Sequence, residues 1–268
     1  MLVVPCVSSS SVNLTAHTMK KLSIIILTFN HLADTRRCLD ALMPVMQRDH
    51  TEVIVIDNAS TDGTPEFIRA TYPLVRLTVN TTNRGVAAAR NQGFAQATAP
   101  TLLILDNDTI ANQRAIDGMM DYLESHPKVG LCACRMTDIE GNVQRSFRPF
   151  PGLKGKALSV LGLRLATEKF RVDEEGAIEP YYVIGACQMI RRQALEQVGN
   201  LDEAIFYGPE DADFCQRLRQ AGWQIKYLPQ FSIVHTYYRR TRRNPLSRLG
   251  LHHIRGLLHF YSKWGRIS

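Results

Sequence analysis

The 268-residue chain lacks the features that define several classes of protein. Its six cysteines include no C-x-x-C pair, which argues against a disulfide scaffold and against a structural zinc site. The longest clear apolar run, Leu22–Leu27, is far shorter than the roughly 20 residues of a membrane-spanning helix. No internal repeat is found, and 45% of the residues are hydrophobic against 21% charged, which excludes disordered and low-complexity classes. The composition therefore indicates an ordinary globular protein with reduced thiols.

The first residues also lack the pattern of a secretion signal. Residues 1–19 have no basic segment before their apolar run, which is short and is followed by the serines Ser8–Ser11. Because Met19-Lys-Lys comes directly before the first strong strand pattern, we expect residues 1–19 to be a disordered or mis-assigned extension. We also expect synthesis in the cytoplasm.

Acidic residues are missing from the C-terminal part of the chain. Residues 214–268 contain 11 Lys and Arg and no Asp or Glu, whereas residues 1–213 are net acidic. The net charge of +7 thus belongs to the tail. Basic tails bind nucleic acid, anionic lipid or phosphorylated substrates, and the sign of the charge alone does not choose among them.

The first half of the chain alternates apolar strand patterns with amphipathic or alanine-rich helix patterns. Such alternation predicts an α/β fold with a mostly parallel sheet and helices on both faces. Asn30 is expected to cap the first helix. The predicted strands are 22–28, 52–56, 74–79 and 101–105, and helices are predicted from Asn30, from Thr64 and over 86–97.

The second half has a mixed pattern of short elements. Residues 149–179 show no clear period and are expected to form a long loop. An amphipathic helix pattern in the tail places Leu249, Phe260 and Trp264 among its apolar positions. The other predicted elements are a hairpin of 129–136 with 142–147, a helix over 191–198, a helix opening at Pro209, and strands 224–228 and 232–235.

Carboxylates follow two of the predicted buried strands, and a third group begins a helix. Asp57 ends one strand, Asp106-Asn107-Asp108 ends another, and Glu210-Asp211-Ala212-Asp213 opens the helix after Pro209. Ligands of open α/β sheets bind beyond the carboxyl ends of the strands, and hard oxygen ligands at alternate positions suit Mg²⁺ or Mn²⁺. Taken singly, each group is equally typical of a solvated turn or a helix cap.

Two further motifs add weaker signals. His235 ends the last predicted strand, and its imidazole either packs as an ordinary side chain or completes a metal shell begun by Asp108. Asn83-Arg84-Gly85 precedes the alanine-rich helix, so that it either forms an ordinary turn or directs N–H groups and a guanidinium at a phosphate.

The order of these motifs resembles that of a family-2 glycosyltransferase of the GT-A fold. The resemblance covers about residues 20–238, and the second half is most similar to the bacterial rhamnosyltransferase-like branch. The matching segments are Ser23–Asn30, Val55–Gly63, Asn83–Asn91, Leu105–Thr109, Gly185–Arg191, Gly199–Phe206, Gly208–Leu218 and Val234-His235.

The resemblance implies roles for individual side chains. Asp211 is expected to be the general base for the acceptor hydroxyl, in a single displacement with inversion at the sugar. Asp108 and His235 are expected to bind the Mn²⁺ or Mg²⁺ that bridges the donor diphosphate. The residues expected to bind the nucleotide-sugar are Thr28, Asn30, Asp57, Asn83, Arg84, Asp106 and Asn107.

The resemblance also implies an organisation and a set of partners. Residues 20–238 are expected to be the catalytic domain and 239–268 a basic amphipathic helical tail. The expected partners are a nucleotide-diphosphate sugar, with rhamnose as a candidate, and a glycan or lipid-linked acceptor of cell-surface polysaccharide synthesis, but no nucleic acid. The tail is expected either to touch the inner surface of the cytoplasmic membrane or to pack on the body. A third alternative is that its arginines at 239, 240, 242 and 243 bind the donor diphosphate.

Three other classes of function are less consistent with the residues. A sugar-1-phosphate nucleotidyltransferase needs a glycine-rich basic loop after the first strand, where this chain has Thr28-Phe-Asn-His31. A non-catalytic protein that binds nucleic acid or membrane would explain the tail but not the carboxylates of the body. A dinucleotide oxidoreductase is disfavoured because no G-x-G-x-x-G follows the first strand.

Overall fold

The structure, a computed structural model, describes residues 21–149, 170–236 and 247–265. The helices are α1 (Leu32–Met46), α2 (Thr64–Thr71), α3 (Val86–Gln96), α4 (Gln113–Ser125), α5 (Arg192–Val198), α6 (Glu210–Gln220) and α7 (Arg248–Trp264). The longer strands are β1 (Leu22–Thr28), β2 (Thr51–Asp57), β3 (Val75–Val79), β4 (Thr101–Asp106), β6 (Val129–Thr137), β12 (Cys187–Arg191) and β13 (Gln224–His235). The short strands are β5 (Thr109–Ile110), β7 (Val143–Gln144), β8 (Phe147–Arg148), β9 (Arg171–Val172), β10 (Ile178–Glu179) and β11 (Tyr182–Val183).

One large sheet organises the fold. Its main path runs β3-β2-β1-β4-β12-β6-β13-β10-β9, with β5 paired to β13 and β7 to β6. Strands β1 to β4 are mutually parallel along that path, whereas β12 runs antiparallel to both β4 and β6. Strands β8 and β11 form a separate antiparallel pair. The mostly parallel α/β architecture predicted from the sequence is confirmed.

The two faces of the sheet are covered because its central strands are apolar on both sides. In β1, Ile24 and Ile26 join the core beneath α1, α2 and α4, while Ile25 joins the core beneath α3, α5 and α6. Side chains alternate between faces along a strand, so a continuous apolar run is what a doubly covered strand requires. The predicted strands and helices of the first half are present within one or two residues of their expected bounds.

Three local predictions differ from the structure. Residues 171–179 form the antiparallel pair β9–β10 within the expected long loop, because β10 adds to the edge of β13; residues 150–169 lie outside the described residues. The two strands expected at 224–228 and 232–235 are one strand, β13, with a register shift in its pairing to β6.

Asn30 does not cap the first helix, which is the third difference. Helix α1 begins at Leu32, and the N–H of Leu32 donates to Asp62 Oδ2 at 3.0 Å. The side chain of Asn30 instead accepts from the N–H of Thr61 at 2.7 Å, and its backbone is left-handed, with φ of 52°. The side chain is therefore used to join the loops that follow β1 and β2.

Helix α7 packs on the body through one face. Phe260 and Trp264 are buried against Ala212 of α6, so these apolar positions of the tail serve packing. Gly256 lies against the loop before α6, where an added Cβ would be 2.5 Å from the carbonyl oxygen of Gly208. The arginines at 239, 240, 242 and 243 lie outside the described residues, as do residues 1–20. None of the described helices is long and apolar enough to cross a membrane.

Polar contacts fix the same helix to the body. Trp264 Nε1 donates to the buried carboxylate of Asp213 at 2.8 Å, and Lys263 Nζ lies 2.8 Å from that same carboxylate. His259 and Lys263 both contact Asp202, at 3.0 and 3.1 Å. Helix α7 is thus held to both ends of the segment 202–213.

The close contact at Gly256 yields a stability prediction. Gly256→Ala is expected to lower the free energy of unfolding by about 1–3 kcal/mol, because the new Cβ forces the backbones of α7 and Gly208 apart. Urea unfolding followed by the fluorescence of the buried Trp264 measures the change. Leu258→Ala, on the exposed face of the same helix, is the control and should stay within about 0.5 kcal/mol of wild type. A Gly256→Ala protein as stable as wild type would contradict the packing described here.

Candidate active site

The carboxyl ends of three parallel strands bring several of the predicted residues to one edge of the sheet. Thr28 of β1 is in register with Asp57 of β2, and Leu27 is in register with Asp106 of β4. Asp57 and Asp106 therefore lie on either side of β1, about 10 Å apart at the usual strand spacing.

Asp57 offers an unsatisfied acceptor at this edge. Its side chain is fully buried, and Oδ1 accepts from the N–H of Ser60 at 2.8 Å. Oδ2 is also buried and has no hydrogen-bond partner in the described part of the chain. A buried acceptor without a donor costs about 1–3 kcal/mol, so the site suits a ligand that brings an N–H or O–H group.

Two of the predicted nucleotide-binding side chains are engaged within the protein. The amide of Asn107 donates to the hydroxyls of Thr28 and Thr35, at 3.2 and 3.0 Å. The two hydroxyls are themselves 2.7 Å apart. Thr28 and Asn107 thus fix the end of β4 against β1 and the start of α1.

The loop before α3 is organised by Asn58, which the sequence reasoning did not assign. The Asn58 amide nitrogen donates to Asn83 Oδ1 at 2.8 Å, and Asn58 Oδ1 accepts from the N–H of Arg84 at 2.9 Å. Asn83 also accepts from the N–H of Gly85. The side chain of Arg84 is left exposed and makes no ion pair within residues 21–149, 170–236 and 247–265.

Three side chains that could hold a metal ion, called here the metal-ligand set, meet where β4 and β13 end. Asp106, Asp108 and His235 each offer an atom, and these three atoms lie within 4.8 Å of one another. His235 Nε2 is 3.4 Å from Asp108 Oδ1, and its Nδ1 is 2.8 Å from Gln144 Oε1. Two carboxylates with one imidazole, whose second nitrogen is held by another side chain, fit a Mn²⁺ or Mg²⁺ ion.

A buried guanidinium joins this set to the start of α6. Arg90 of α3 donates to Asp106 Oδ1 at 2.6 Å and to Glu210 Oε1 at 3.1 Å, with only 4% of its side chain exposed. Burial opposes the charged form of Arg90, but the Asp106 and Glu210 carboxylates outweigh it and raise its pKa. Burial, with the neighbouring Asp211 charge, raises the pKa of Glu210 to about 7.

Asp211 lies beside this pair, half-buried in the first turn of α6. Its Oδ1 accepts from the N–H of Ala212 at 2.7 Å and its Oδ2 from the N–H of Gly185 at 3.2 Å. Burial raises the pKa of Asp211, while these donors and the charges of Arg90 and Arg148 act against that rise. The result is an oriented carboxylate of increased basicity, as a general base requires.

Gly185 is the backbone link between Arg90 and Asp211. Its N–H donates to Asp211, and its carbonyl accepts from Arg90 Nη2 at 2.9 Å. A Cβ at this position would lie 2.5 Å from Arg90 Nη1. A glycine is therefore needed for the guanidinium and the carboxylate to approach from both sides.

The sequence reasoning missed five residues of this arrangement. All five lie inside or next to segments that were singled out, but their roles depend on contacts between distant parts of the chain. A charged residue in an alanine-rich helix was the signal available for Arg90. The missed residues are Asn58, Arg90, Gln144, Gly185 and Glu210.

The chain is similar in sequence to known glycosyltransferases. The sequence model of the Glycosyl transferase family 2 matches residues 23–199. The N-acetylglucosaminyl-diphospho-decaprenol L-rhamnosyltransferase of Mycobacterium tuberculosis is 31% identical over 250 residues, which are 87% of this chain and 81% of that protein.

Solved structures with the same fold are also glycosyltransferases. The mannosyltransferase PcManGT from Pyrobaculum calidifontis, solved with GDP-Man and Mn²⁺, is 24% identical with a TM-score of 0.60, over 83% of this chain and 59% of that one. GalNAc-T7, solved with UDP, GalNAc and Mn²⁺, is 15% identical with a TM-score of 0.60, over 82% of this chain and 44% of that one. At these identities the likeness shows the fold, which is GT-A.

The family match covers residues 23–199, more than half of the chain, and includes the strand ends at which Asp57 and Asp106 lie. Together with a relative aligned over most of both chains, it shows that this chain is a glycosyltransferase that belongs to glycosyl transferase family 2 and is rhamnosyltransferase-like within it.

Proposed function

We propose that the chain transfers a sugar from a nucleoside-diphosphate donor to a hydroxyl of a glycan or lipid-linked acceptor, with inversion at the sugar, in cell-surface polysaccharide synthesis. The observation that carries the proposal is the position of Arg90, which contacts both Asp106 of the metal-ligand set and Glu210 beside Asp211. A donor site and a general base are thereby held together as one unit. Rhamnose is the candidate sugar because of the mycobacterial relative.

The donor base and ribose would lie over the ends of β1 and β2. The unsatisfied Oδ2 of Asp57 is a natural acceptor for the N3–H of a pyrimidine base. Asn83 and the exposed Arg84 would face the ribose and diphosphate. Thr28, Asn30 and Asn107 would complete the nucleotide-sugar site, and their hydrogen bonds within the protein support a role in fixing the loops around the donor.

Asp108 and His235 would hold a Mn²⁺ or Mg²⁺ ion, with Asp106 completing the protein ligands. When bound, such an ion neutralises charge on the nucleoside diphosphate as it departs. The two solved neighbours named above were both obtained with Mn²⁺.

Asp211 would act as the general base. Its carboxylate takes the proton of the acceptor hydroxyl while that oxygen bonds to the anomeric carbon, and the bond from this carbon to the donor phosphate oxygen breaks. Base and leaving group then lie on opposite faces of the sugar, which gives inversion. Aligned general-base catalysis contributes about 10²–10⁴-fold.

The basic tail is relevant to where the acceptor is located. We assign residues 20–238 to catalysis and residues 239–268 to a basic tail whose helix α7 supports the loop of the base. A lipid-linked acceptor requires work at a membrane surface, and the positive tail suits the anionic cytoplasmic face. We therefore place the enzyme in the cytoplasm, peripheral to that membrane.

The donor site is tested by thermal unfolding with UDP, dTDP, GDP and CDP, each with and without Mn²⁺. A nucleotide at 100 times its Kd stabilises the protein by about 2.7 kcal/mol, which is an easily measured shift.

Asp108→Ala is expected to abolish the part of this shift that requires Mn²⁺, because the variant lacks a ligand of the metal-ligand set. Asp121→Ala, at an exposed position of α4, is the control. An unchanged Mn²⁺ requirement in Asp108→Ala would contradict the assignment.

The base is tested by Asp211→Asn. This variant is expected to lose about 10²–10⁴-fold in kcat, because the amide cannot take the hydroxyl proton, while the donor Kd stays within a few-fold of wild type. Single-turnover transfer and nucleotide titration measure the two quantities, with Asp121→Asn as the matched control. Loss of nucleotide binding in Asp211→Asn would instead identify a structural carboxylate.

The acid limb of the pH–kcat profile gives a separate test. Since Asp211 works as the carboxylate, kcat rises as the pH passes upward through its pKa. Arg148 lowers that pKa, so Arg148→Gln should raise it and move the acid limb to higher pH. The neighbouring exposed Arg145→Gln should leave the limb in place. Equal profiles for both variants would show that Arg148 does not influence the base.

A further inference from the structure

Helix α7 has a second apolar face that points away from the body. Leu251, Ile254 and Leu258 have 46%, 42% and 66% of their surface exposed. Residues three and four apart lie on the same side of a helix, so these three form one stripe, here called the outer stripe. Phe260 and Trp264, which pack on the body, lie on the opposite side.

The outer stripe is bordered by positive charge. Arg248 and Arg255 are exposed on the same side of α7. Arg248 lies about one turn before Leu251, and Arg255 lies about one turn before Leu258. They belong to a segment, residues 214–268, that has 11 Lys and Arg and no acidic residue. A helix face with aliphatic side chains and flanking arginines is suited to bind an anionic lipid surface. The aliphatic side chains enter the boundary of the acyl chains, and the arginines contact the lipid phosphates.

Single exposed apolar side chains elsewhere do not share this pattern. Leu74, Ile139, Val143 and Val172 are exposed by 63–69%. Ile139 and Val143 share one hairpin, whose turn carries the acidic Asp138 and Glu140, and the other two lie apart from it and from each other. Isolated apolar residues on a surface are common, whereas an aligned set with adjacent cations indicates a binding face.

The position of α7 relates this face to the site. Gly256, between two stripe residues, contacts the carbonyl of Gly208, and the N–H of Gly208 donates to Glu210 Oε2 at 2.6 Å. A helix is about 10–12 Å across, so the outer stripe lies roughly one helix diameter from the loop that precedes Asp211. A surface bound by the stripe would therefore lie close to the general base.

We propose that the outer stripe, with Arg248 and Arg255, docks the enzyme on an anionic membrane and sets Asp211 near the headgroup level. The second part rests on the proposed function, because it supposes an acceptor sugar attached to a lipid. The first part is a property of the surface and can be measured without donor or acceptor.

The experiment is co-sedimentation of the full chain with vesicles of phosphatidylcholine, alone or mixed with phosphatidylglycerol. Wild type is expected to bind the mixed vesicles, to bind neutral vesicles weakly, and to be released by salt. Leu251→Ser/Ile254→Ser/Leu258→Ser should weaken binding by more than about tenfold, and Arg248→Gln/Arg255→Gln by about 25-fold, at roughly fivefold for each arginine. The matched control is Leu74→Ser/Ile139→Ser/Val172→Ser, which removes as many exposed apolar side chains and should bind as wild type does.

Three results would overturn the proposal. The first is that the wild type does not bind the mixed vesicles, and the second is that the stripe variant binds them as well as the wild type does. The third is a dimer, measured by light scattering, that is lost in the stripe variant while that variant still binds vesicles. Circular dichroism and Mn²⁺-dependent nucleotide binding establish that each variant is folded. If the wild type binds nucleotide with Mn²⁺ but does not bind the mixed vesicles, the docking proposal fails and the proposed function stands. If the wild type binds the mixed vesicles but no nucleotide, the proposed function fails and the docking of the surface stands.

Discussion

One buried positive charge holds the candidate site together. The Arg90 guanidinium contacts carboxylates from two distant segments, Asp106 at the end of β4 and Glu210 at the start of α6, and the backbone carbonyl of Gly185 from a third. Burying carboxylates is costly unless they are paired, so the two segments are stable in this arrangement only while Arg90 lies between them. Because Asp211 adjoins Glu210 and Asp108 is two residues from Asp106, the placement of the proposed base and of the candidate metal ligands depends on this one guanidinium.

Sheet geometry brings the side chains at the strand ends together at one edge. Parallel strands present their last residues at one edge, and here Thr28 of β1 is in register with Asp57 of β2, while Asp106 of β4 is in register with the neighbouring Leu27. Some of these side chains are satisfied internally and give the edge its shape. The Oδ2 of Asp57 differs from these, because it is buried and has no hydrogen-bond partner among the described residues. A ligand N–H that reaches this oxygen requires a small movement of the atoms that cover it, and the hydrogen bond then satisfies the buried acceptor.

The sequence was sufficient for the fold of the first half and for the location of the site. Long β-branched runs such as Leu22–Thr28 predict doubly covered strands, and carboxylates that follow such strands must lie at the same edge. The role of Arg90 was not predictable in this way, because its partner Glu210 is 120 residues away and local patterns carry no information on such pairs. Periodicity likewise identified an amphipathic tail helix, but it does not tell which of two apolar faces packs on the body. The prediction for Asn30 was wrong because Thr61, from another loop, competes for its side chain.

The contacts of α7 have a consequence for how such chains diversify. Asp213 is fully buried, and among the described residues its carboxylate contacts Trp264 and Lys263 of α7 as well as Arg217 of its own helix. A gene that acquired a different C-terminal helix would lose both partners at once, and the Gly208 loop would meet a foreign side chain in place of Gly256. The tail and the 202–213 segment are therefore expected to be inherited as a pair, and recombination between relatives should succeed when its junctions keep the two from the same parent.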